Sequence, residues 1–417
     1  MNGYFNRLAI DGGPQVRSRP FAPWPAFDVE EIDAACKVLQ SGKVNYWTGQ
    51  EGQLFEREFA SQTRCKYAVA VANGTVALEL ALEALDIGPG DEVIVPSRSF
   101  VATASCVAMR NAIPVFADIS EESQTITAQA TEQVLTKKTK AIIAVHLAGW
   151  PCDMDGILTI AKKHSLVVIE DCAQAQGAQY RGCPVGSLGD AAAFSFCQDK
   201  IMSTGGEGGM LVTNREDVWR KAWSFKDHGK DLEACNKASV ANTFQYVHHS
   251  IGTNWRMTEM QSAIGRRILS KVPEFVAARR HNAHQLDTYF KNLPELRSII
   301  PSDEVHHSYY KYYAFIRPEQ LRDGWTRDRV LLALRAEGIP CSSGSCSEIY
   351  LEAPFWSQLR PKQRHPVASR LGSTSIMFLV HPTLNEQDMA DTYTAVKKVL
   401  GKTTTKGHRV TQVRHVA

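Results

Sequence analysis

The sequence predicts an α/β fold, a mostly parallel sheet flanked by helices in a large domain, with a smaller α/β domain following it. Three observations predict it. Between Lys66 and Thr213, short β-branched runs alternate with amphipathic stretches. The strand-like runs are apolar at consecutive positions, as in strands covered on both faces. The joints carry turn chemistry, with Gly88-Pro89-Gly90-Asp91 before one run and Asn73-Gly74-Thr75 after another.

The spacing places strands at Tyr67–Ala72, Glu92–Val95, Pro114–Phe116, Ala141–Val145, Leu166–Ile169, Ala191–Phe196 and Gly209–Thr213. Helices are expected at Thr75–Leu85, Val101–Arg110 and Asp155–His164. Beyond Asp227 the pattern changes, and 228–253 reads as an irregular loop region. Met257–Leu293 reads as two long helices. A second αβ unit follows, with strands at Tyr309–Ile316 and Ser375–Val380 and helices at Thr326–Glu337 and Asn385–Leu400. The expected division is a large domain at 1–255, a smaller one at 256–401, and a flexible basic tail at 402–417.

Composition narrows the function classes. The chain has 417 residues, 47 basic against 44 acidic side chains and a formal charge of +3, which gives no footprint for nucleic acid. No stretch reaches the roughly 20 apolar residues of a spanning helix, and Met1–Arg7 does not begin a secretory leader. The ten cysteines are scattered, without a Cys-x-x-Cys pair, so no metal is expected and a reduced, cytoplasmic setting follows.

One constellation carries chemistry. The strand ending near Asp171 precedes Gln174, and Ser195 and Lys200 follow at the end of the next long strand. A carboxylate can hold a pyridinium proton, an amine can form a Schiff base, and small donors can hold a phosphate, which is what pyridoxal 5'-phosphate requires. Asp171 alone also suits a helix N-cap, and Gln174 alone suits the surface. Lys200 follows an apolar strand and precedes Gly205–Gly209, which implies an inward position. Gly74 and Thr75 open a helix whose first N–H groups suit a phosphate. Phe100, at the next strand-to-helix turn, can stack on a ring or fill the core. The glycine run is neither a dinucleotide nor a Walker motif.

These segments, in this order, resemble the sugar aminotransferases of the DegT/StrS group, which are fold-type I pyridoxal phosphate enzymes. The resemblance runs from about Trp47-Thr48-Gly49 to His381-Pro382. It includes Asn73–Leu78, Gly88–Ser97, Val145–Gly149, Asp153–Asp155, Glu170–Gln174, Ser195–Lys200, Gly206–Gly209 and Gly252–Met257. It implies that Lys200 forms the Schiff base, Asp171 pairs with the pyridinium and Gln174 meets the ring hydroxyl. It further implies Phe100 at the stacking position and Gly74, Thr75 and Ser195 at the phosphate. Asn254 would reach the phosphate of a neighbouring subunit, so a homodimer with shared sites is implied. The stacking residue is often Trp or Tyr in the family. Cys341–Tyr350 departs from its commonest form, which bears on substrate choice. Some members carry His at the lysine position and act as dehydrases; Lys200 argues for transamination.

The expected function is amine transfer from L-glutamate or L-glutamine to a keto sugar, nucleotide-linked, in amino-sugar, cell-surface polysaccharide or antibiotic biosynthesis. The alternatives are a cyclitol (scyllo-inosose type) aminotransferase and a non-catalytic sensor of the same fold. His228, His248, His249, His306, His307 and Tyr309 are further polar candidates without a motif behind them.

Overall fold

The computed structural model describes residues 7–238, 244–356 and 359–403. The first part of the chain supplies strands β1 (Tyr67–Val71), β2 (Glu92–Pro96), β3 (Ile113–Ala117), β4 (Thr139–Val145), β5 (Val167–Asp171), β6 (Gln179–Tyr180), β7 (Cys183–Pro184), β8 (Ala191–Ser195) and β9 (Gly209–Thr213). Later come β10 (Leu296–Ser298), β11 (Val305–His306), β12 (Tyr312–Ile316), β13 (Cys341–Ser342) and β14 (Ser375–Phe378). A seven-stranded sheet has the order β1-β9-β8-β5-β4-β2-β3. Its pairings from β8 through β3 are parallel, while β9 runs antiparallel to both neighbours. The strands are apolar on consecutive residues because both faces are covered. Val69, Val95 and Ile143 pack under the helices Gly74–Ala84, Ala102–Met109 and Glu216–Phe225. Ala70, Phe194 and Val212 point the other way, against Glu51–Gln62 and the long helix Glu259–Phe290.

A four-stranded antiparallel sheet, β10-β12-β14-β13, packs with the helices Arg327–Ala336 and Glu386–Thr403 around a separate apolar cluster. The tail expected at 402–417 lies, beyond Thr403, outside the described residues. The loop region 228–253 contains a short helix, Leu232–Ala238.

Met257–Leu293, expected as two helices, contains a single one, Glu259–Phe290, with Pro273 inside it. Proline has no N–H for the carbonyl four residues back and usually breaks the ladder. Here that carbonyl, Leu269 O, accepts from Gln62 Nε2 of a packed helix at 3.4 Å. A neighbour supplies the missing donor. Pattern reading along one helix cannot see it.

The register of β5 is fixed by Glu170. Its carboxylate is fully buried and accepts from His146 Nε2 (2.9 Å), Gly186 N (2.8 Å), Leu188 N (2.8 Å) and Gly189 N (2.7 Å). His146 Nδ1 accepts from Cys152 N at 3.0 Å, so the ring is neutral and its proton sits on Nε2. Burial alone would raise the pKa of Glu170, but the His146 bond and the loop N–H groups hold it below the usual carboxylate range. Replacing Glu170 by Gln puts an amide N–H against four donors. The expected cost is of order 3 kcal/mol of unfolding free energy, read by urea denaturation. Because the folded pKa is depressed, this contribution is complete above the unfolded value and is lost as pH falls through the folded one. Wild type should therefore lose its stability advantage over Glu170→Gln on acidification below about pH 4.

Candidate active site

The site lies at the carboxyl ends of the parallel strands, where sheets of this kind place their ligands. Asp171 closes β5, and its backbone is held on both sides. Its carbonyl accepts from His146 N at 3.1 Å, and the next residue, Cys172, donates from N to Ala193 O at 2.8 Å. Strand alternation aims Asp171 away from the Glu170 pocket. Its Oδ1 accepts from Ala173 N (3.1 Å) and its Oδ2 from Thr103 Oγ1 (3.0 Å). Thr103 Oγ1 is also 2.9 Å from Ser99 Oγ. With its one proton committed to the carboxylate, Thr103 accepts from Ser99, which makes a directed relay of hydroxyls. The sequence reading missed Thr103. The available signal was a hydroxyl three residues after Phe100.

Asp171 is 6% exposed and has no ion-pair partner among the described residues. Burial, the largest influence, raises its pKa, against the donation from Ala173 and Thr103 and the positive charge of Lys200. A buried carboxylate in that state favours a cationic N–H donor.

Lys200 is held by two backbone contacts. Its N–H donates to Cys197 O at 3.0 Å, and its carbonyl accepts from Trp24 Nε1 at 2.8 Å. Its ammonium is 3.5 Å from Asp199 Oδ1 and 5.0 Å from the centre of the Tyr310 ring.

Gln174 is buried, and its Oε1 accepts from Ala148 N at 2.8 Å. That bond fixes the amide's orientation and leaves Nε2 as a donor with no acceptor among the described residues. Gln176, two residues on, donates from Nε2 to Ser195 O at 2.6 Å and ties this turn to the end of β8.

The helix Gly74–Ala84 opens beside β8 and β9. Its cap is Asn73, whose side chain accepts from Val76 N at 3.0 Å, so the N–H groups of Gly74 and Thr75 precede the helical ladder. Gly74 must be glycine, because a Cβ there would lie 2.6 Å from Ser195 Cβ. Gly209 has the same constraint, with Asn73 O at 2.3 Å from a Cβ. The hydroxyl of Ser195 and the helix start therefore form one cup, suited to an anion.

Phe100 stands 64% exposed at the turn after β2. Asn254 is exposed as well. It pairs through its backbone with Asp227, and its neighbour Trp255 accepts from Ala72 N at 2.9 Å, two residues before Gly74. The structure thus gathers Asp171, Gln174, Ser195, Gly74, Thr75 and Lys200 at the strand ends and leaves Phe100 and Asn254 with free surfaces.

These residues fit pyridoxal phosphate on three counts. The buried carboxylate has no ion-pair partner among the described residues, the Gly74–Ser195 cup offers a hydroxyl and N–H groups suited to an anion, and an amine lies within electrostatic reach of the carboxylate. His146, Glu170 and Cys172 also place ligand-type atoms within 4.8 Å of one another. Both imidazole nitrogens and both carboxylate oxygens of that trio already have protein partners, so it acts as scaffold.

A model described as the DegT/DnrJ/EryC1/StrS aminotransferase family matches residues 25–397. The X-ray structure of an aminotransferase from Psychrobacter cryohalolentis is 51% identical, with a TM-score of 0.90 covering 92% of this chain and 100% of that one. GDP-perosamine synthase of Escherichia coli O157:H7 is 38% identical over 348 residues, 82% of this chain and 89% of that protein. Spore coat polysaccharide biosynthesis protein SpsC of Bacillus subtilis (strain 168) is 34% identical over 383 residues, 91% of this chain and 97% of that protein.

Asp171→Asn removes a costly buried charge. Denaturant melts of the apoprotein should show no loss of stability near neutral pH, while fluorescence titration should show pyridoxal phosphate binding weakened by about tenfold or more. Thr103→Val should weaken binding in the same titration by a smaller factor, roughly threefold to tenfold.

Proposed function

We propose a function that starts from one premise: the chain belongs to the DegT/DnrJ/EryC1/StrS aminotransferase family. It is a pyridoxal phosphate-dependent sugar aminotransferase. The proposed acceptor is a nucleotide-linked keto sugar and the donor is L-glutamate or L-glutamine, with the product entering amino-sugar or surface-polysaccharide synthesis. A GDP-perosamine synthase and a spore coat polysaccharide protein among the relatives support that substrate class. The observation that carries the reading is the buried, cation-free Asp171 between the Thr103 relay and Lys200, beside the Gly74–Ser195 cup.

When bound, pyridoxal phosphate supplies an aldehyde that takes an amine in place of its oxygen and a ring that stores the electron pair left by a departing proton. Asp171, steadied by Thr103 and Ala173, keeps the ring-nitrogen proton in place. Gln174 Nε2 donates to the ring hydroxyl, and Ser195 Oγ with the Gly74 and Thr75 N–H groups binds the phosphate. Phe100 covers a ring face. Lys200 Nζ anchors the cofactor and moves the proton at the carbon that bears the amine.

The active form is a homodimer in which Asn254 of each protomer serves the other's cup. Phe244, Tyr246 and Ile251, in the segment that leads to Asn254, are 82%, 87% and 91% exposed, apolar side chains that a second copy would cover. The setting proposed is cytoplasmic: all ten cysteines are free, and no helix among the described residues is long and apolar enough to cross a membrane.

The deciding assay is stepwise. Wild type loaded with pyridoxal phosphate should lose its visible absorbance on adding glutamate or glutamine, and a panel of keto-sugar nucleotides should restore it. Lys200→Ala should do neither. Absorbance unchanged by every amino acid tested would refute the reading. Shared sites predict complementation as well. Mixing Lys200→Ala with an impaired Asn254→Ala should give heterodimers with one intact site, about a quarter of wild-type activity for random pairing, whereas separate sites give no gain.

A further inference from the structure

Beside Lys200 lies a charged cluster that the cofactor contacts do not use. Asp199 accepts from Tyr310 O–H through one oxygen and faces Lys200 with the other. The Tyr310 ring carries two ammonium groups, Lys200 Nζ at 5.0 Å and Lys311 Nζ at 4.7 Å from its centre. Arg279 is 1% exposed, and its Nη1 donates to Tyr310 O at 3.0 Å. Its Nε and Nη2 have no hydrogen-bond partner among the described residues, and its guanidinium lies 5.0 Å over the ring of Trp24, the residue that clamps the Lys200 carbonyl. Three cations share one carboxylate: Arg279 is buried, Lys200 and Lys311 are partly buried, and Asp199 reaches the surface. Such an imbalance is costly until an anion enters.

We infer that Lys311, backed by the charge of Arg279, receives the α-carboxylate of the amino-acid donor. This rests on the aminotransferase reading above. The two substrates of such an enzyme take turns at one lysine, and only one of them has a carboxylate on the carbon that carries the amine. In an amino acid that carboxylate is two bonds from the reacting nitrogen. An amine flanking the same ring as Lys200 is placed to meet it. The diphosphate of a nucleotide-linked sugar lies farther from the reacting carbon and suits a more distant cation.

Burial is the largest influence on Lys311, and Arg279 and Lys200 add to it; together they pull its pKa down to about 8 against the opposing pull of Asp199. A docked carboxylate supplies the missing negative charge and holds the amine in its ammonium form. Asp199 alone cannot balance the group, because it brings one negative charge against the three cations Lys200, Lys311 and Arg279.

The test separates the two half-reactions on the holoenzyme. In Lys311→Met, the KM for glutamate or glutamine in the donor half should rise roughly 10- to 100-fold, the usual effect of losing a charged hydrogen bond. The acceptor half, run with the pyridoxamine-loaded enzyme and a keto-hexose nucleotide that wild type accepts, should change by less than about twofold. Lys311→Arg should restore much of the donor affinity. Glutarate, which has carboxylates but no amine, should bind wild type by calorimetry and bind Lys311→Met more weakly. Equal slowing of both halves would overturn the inference, since that is what a displaced Lys200 produces; so would an unchanged donor KM. If wild type transaminates nothing, the aminotransferase reading falls, and the glutarate titration still decides the site.

Discussion

The working end of this protein depends on a carboxylate that does no chemistry. Glu170 gathers four donors from a histidine and from the turn before β8, so it locks β5, β4 and the entry to β8 in one register. Gly186, with φ of +96°, and Gly189, whose Cβ would meet Val168 O at 2.7 Å, let that turn come close enough to donate. Asp171 follows Glu170 directly. Any slip in the first residue would turn the second away from the site, because strand period is two. The neutral His146 matters here: a charged ring could not accept from Cys152, and the bond that orients the imidazole toward Glu170 would be lost.

With the register fixed, the strand ends set the chemistry. Parallel pairing of β4, β5 and β8 brings their carboxyl ends to one edge, and each contributes one element: the His146–Gly149 turn, the Asp171–Gln176 turn and the Ser195–Lys200 turn. Cross-links then join the turns. Ala148 N–H orients Gln174, Gln176 reaches Ser195 O, and Thr103 reaches Asp171 from the helix after β2. Small donors fix each group before any ligand arrives, so little ordering cost remains at binding.

Much of this was legible from sequence, and the rest failed for a physical reason. Asp171, Ser195, Lys200 and Gly74 sit where strand and helix periodicity ends, and periodicity is a local signal. Tyr67–Val71 and Gly209–Thr213 came out close to expectation for that reason. Pro273 misled because its compensation comes from Gln62, far away in the chain. Thr103, Trp24, Tyr310 and Arg279 carry no motif. Trp24 meets Lys200 across 176 positions and Tyr310 meets Asp199 across 111, so only the folded chain brings them together. The Glu170 pocket was half visible: the residue stood beside Asp171 in the sequence, but nothing local indicated that four donors converge on it.

The same electrostatics explains why the unliganded site is a compromise. Asp171 is a buried anion short of a cation, and the Lys200–Lys311–Arg279 group is a partly buried set of cations short of an anion. The two could have been paired with each other, and a more stable protein would result. Keeping them apart leaves each charge desolvated and incompletely matched, which costs folding stability. Ligands then recover that cost, since whatever binds only the native state stabilises it by mass action. A ring nitrogen that must stay protonated answers the first imbalance, and a donor carboxylate answers the second. Stability withheld from the empty fold becomes selectivity for molecules that carry both charges in the right places. The scaffold can sustain this because Glu170, the buried carboxylate that sets the register beside the site, is fully satisfied.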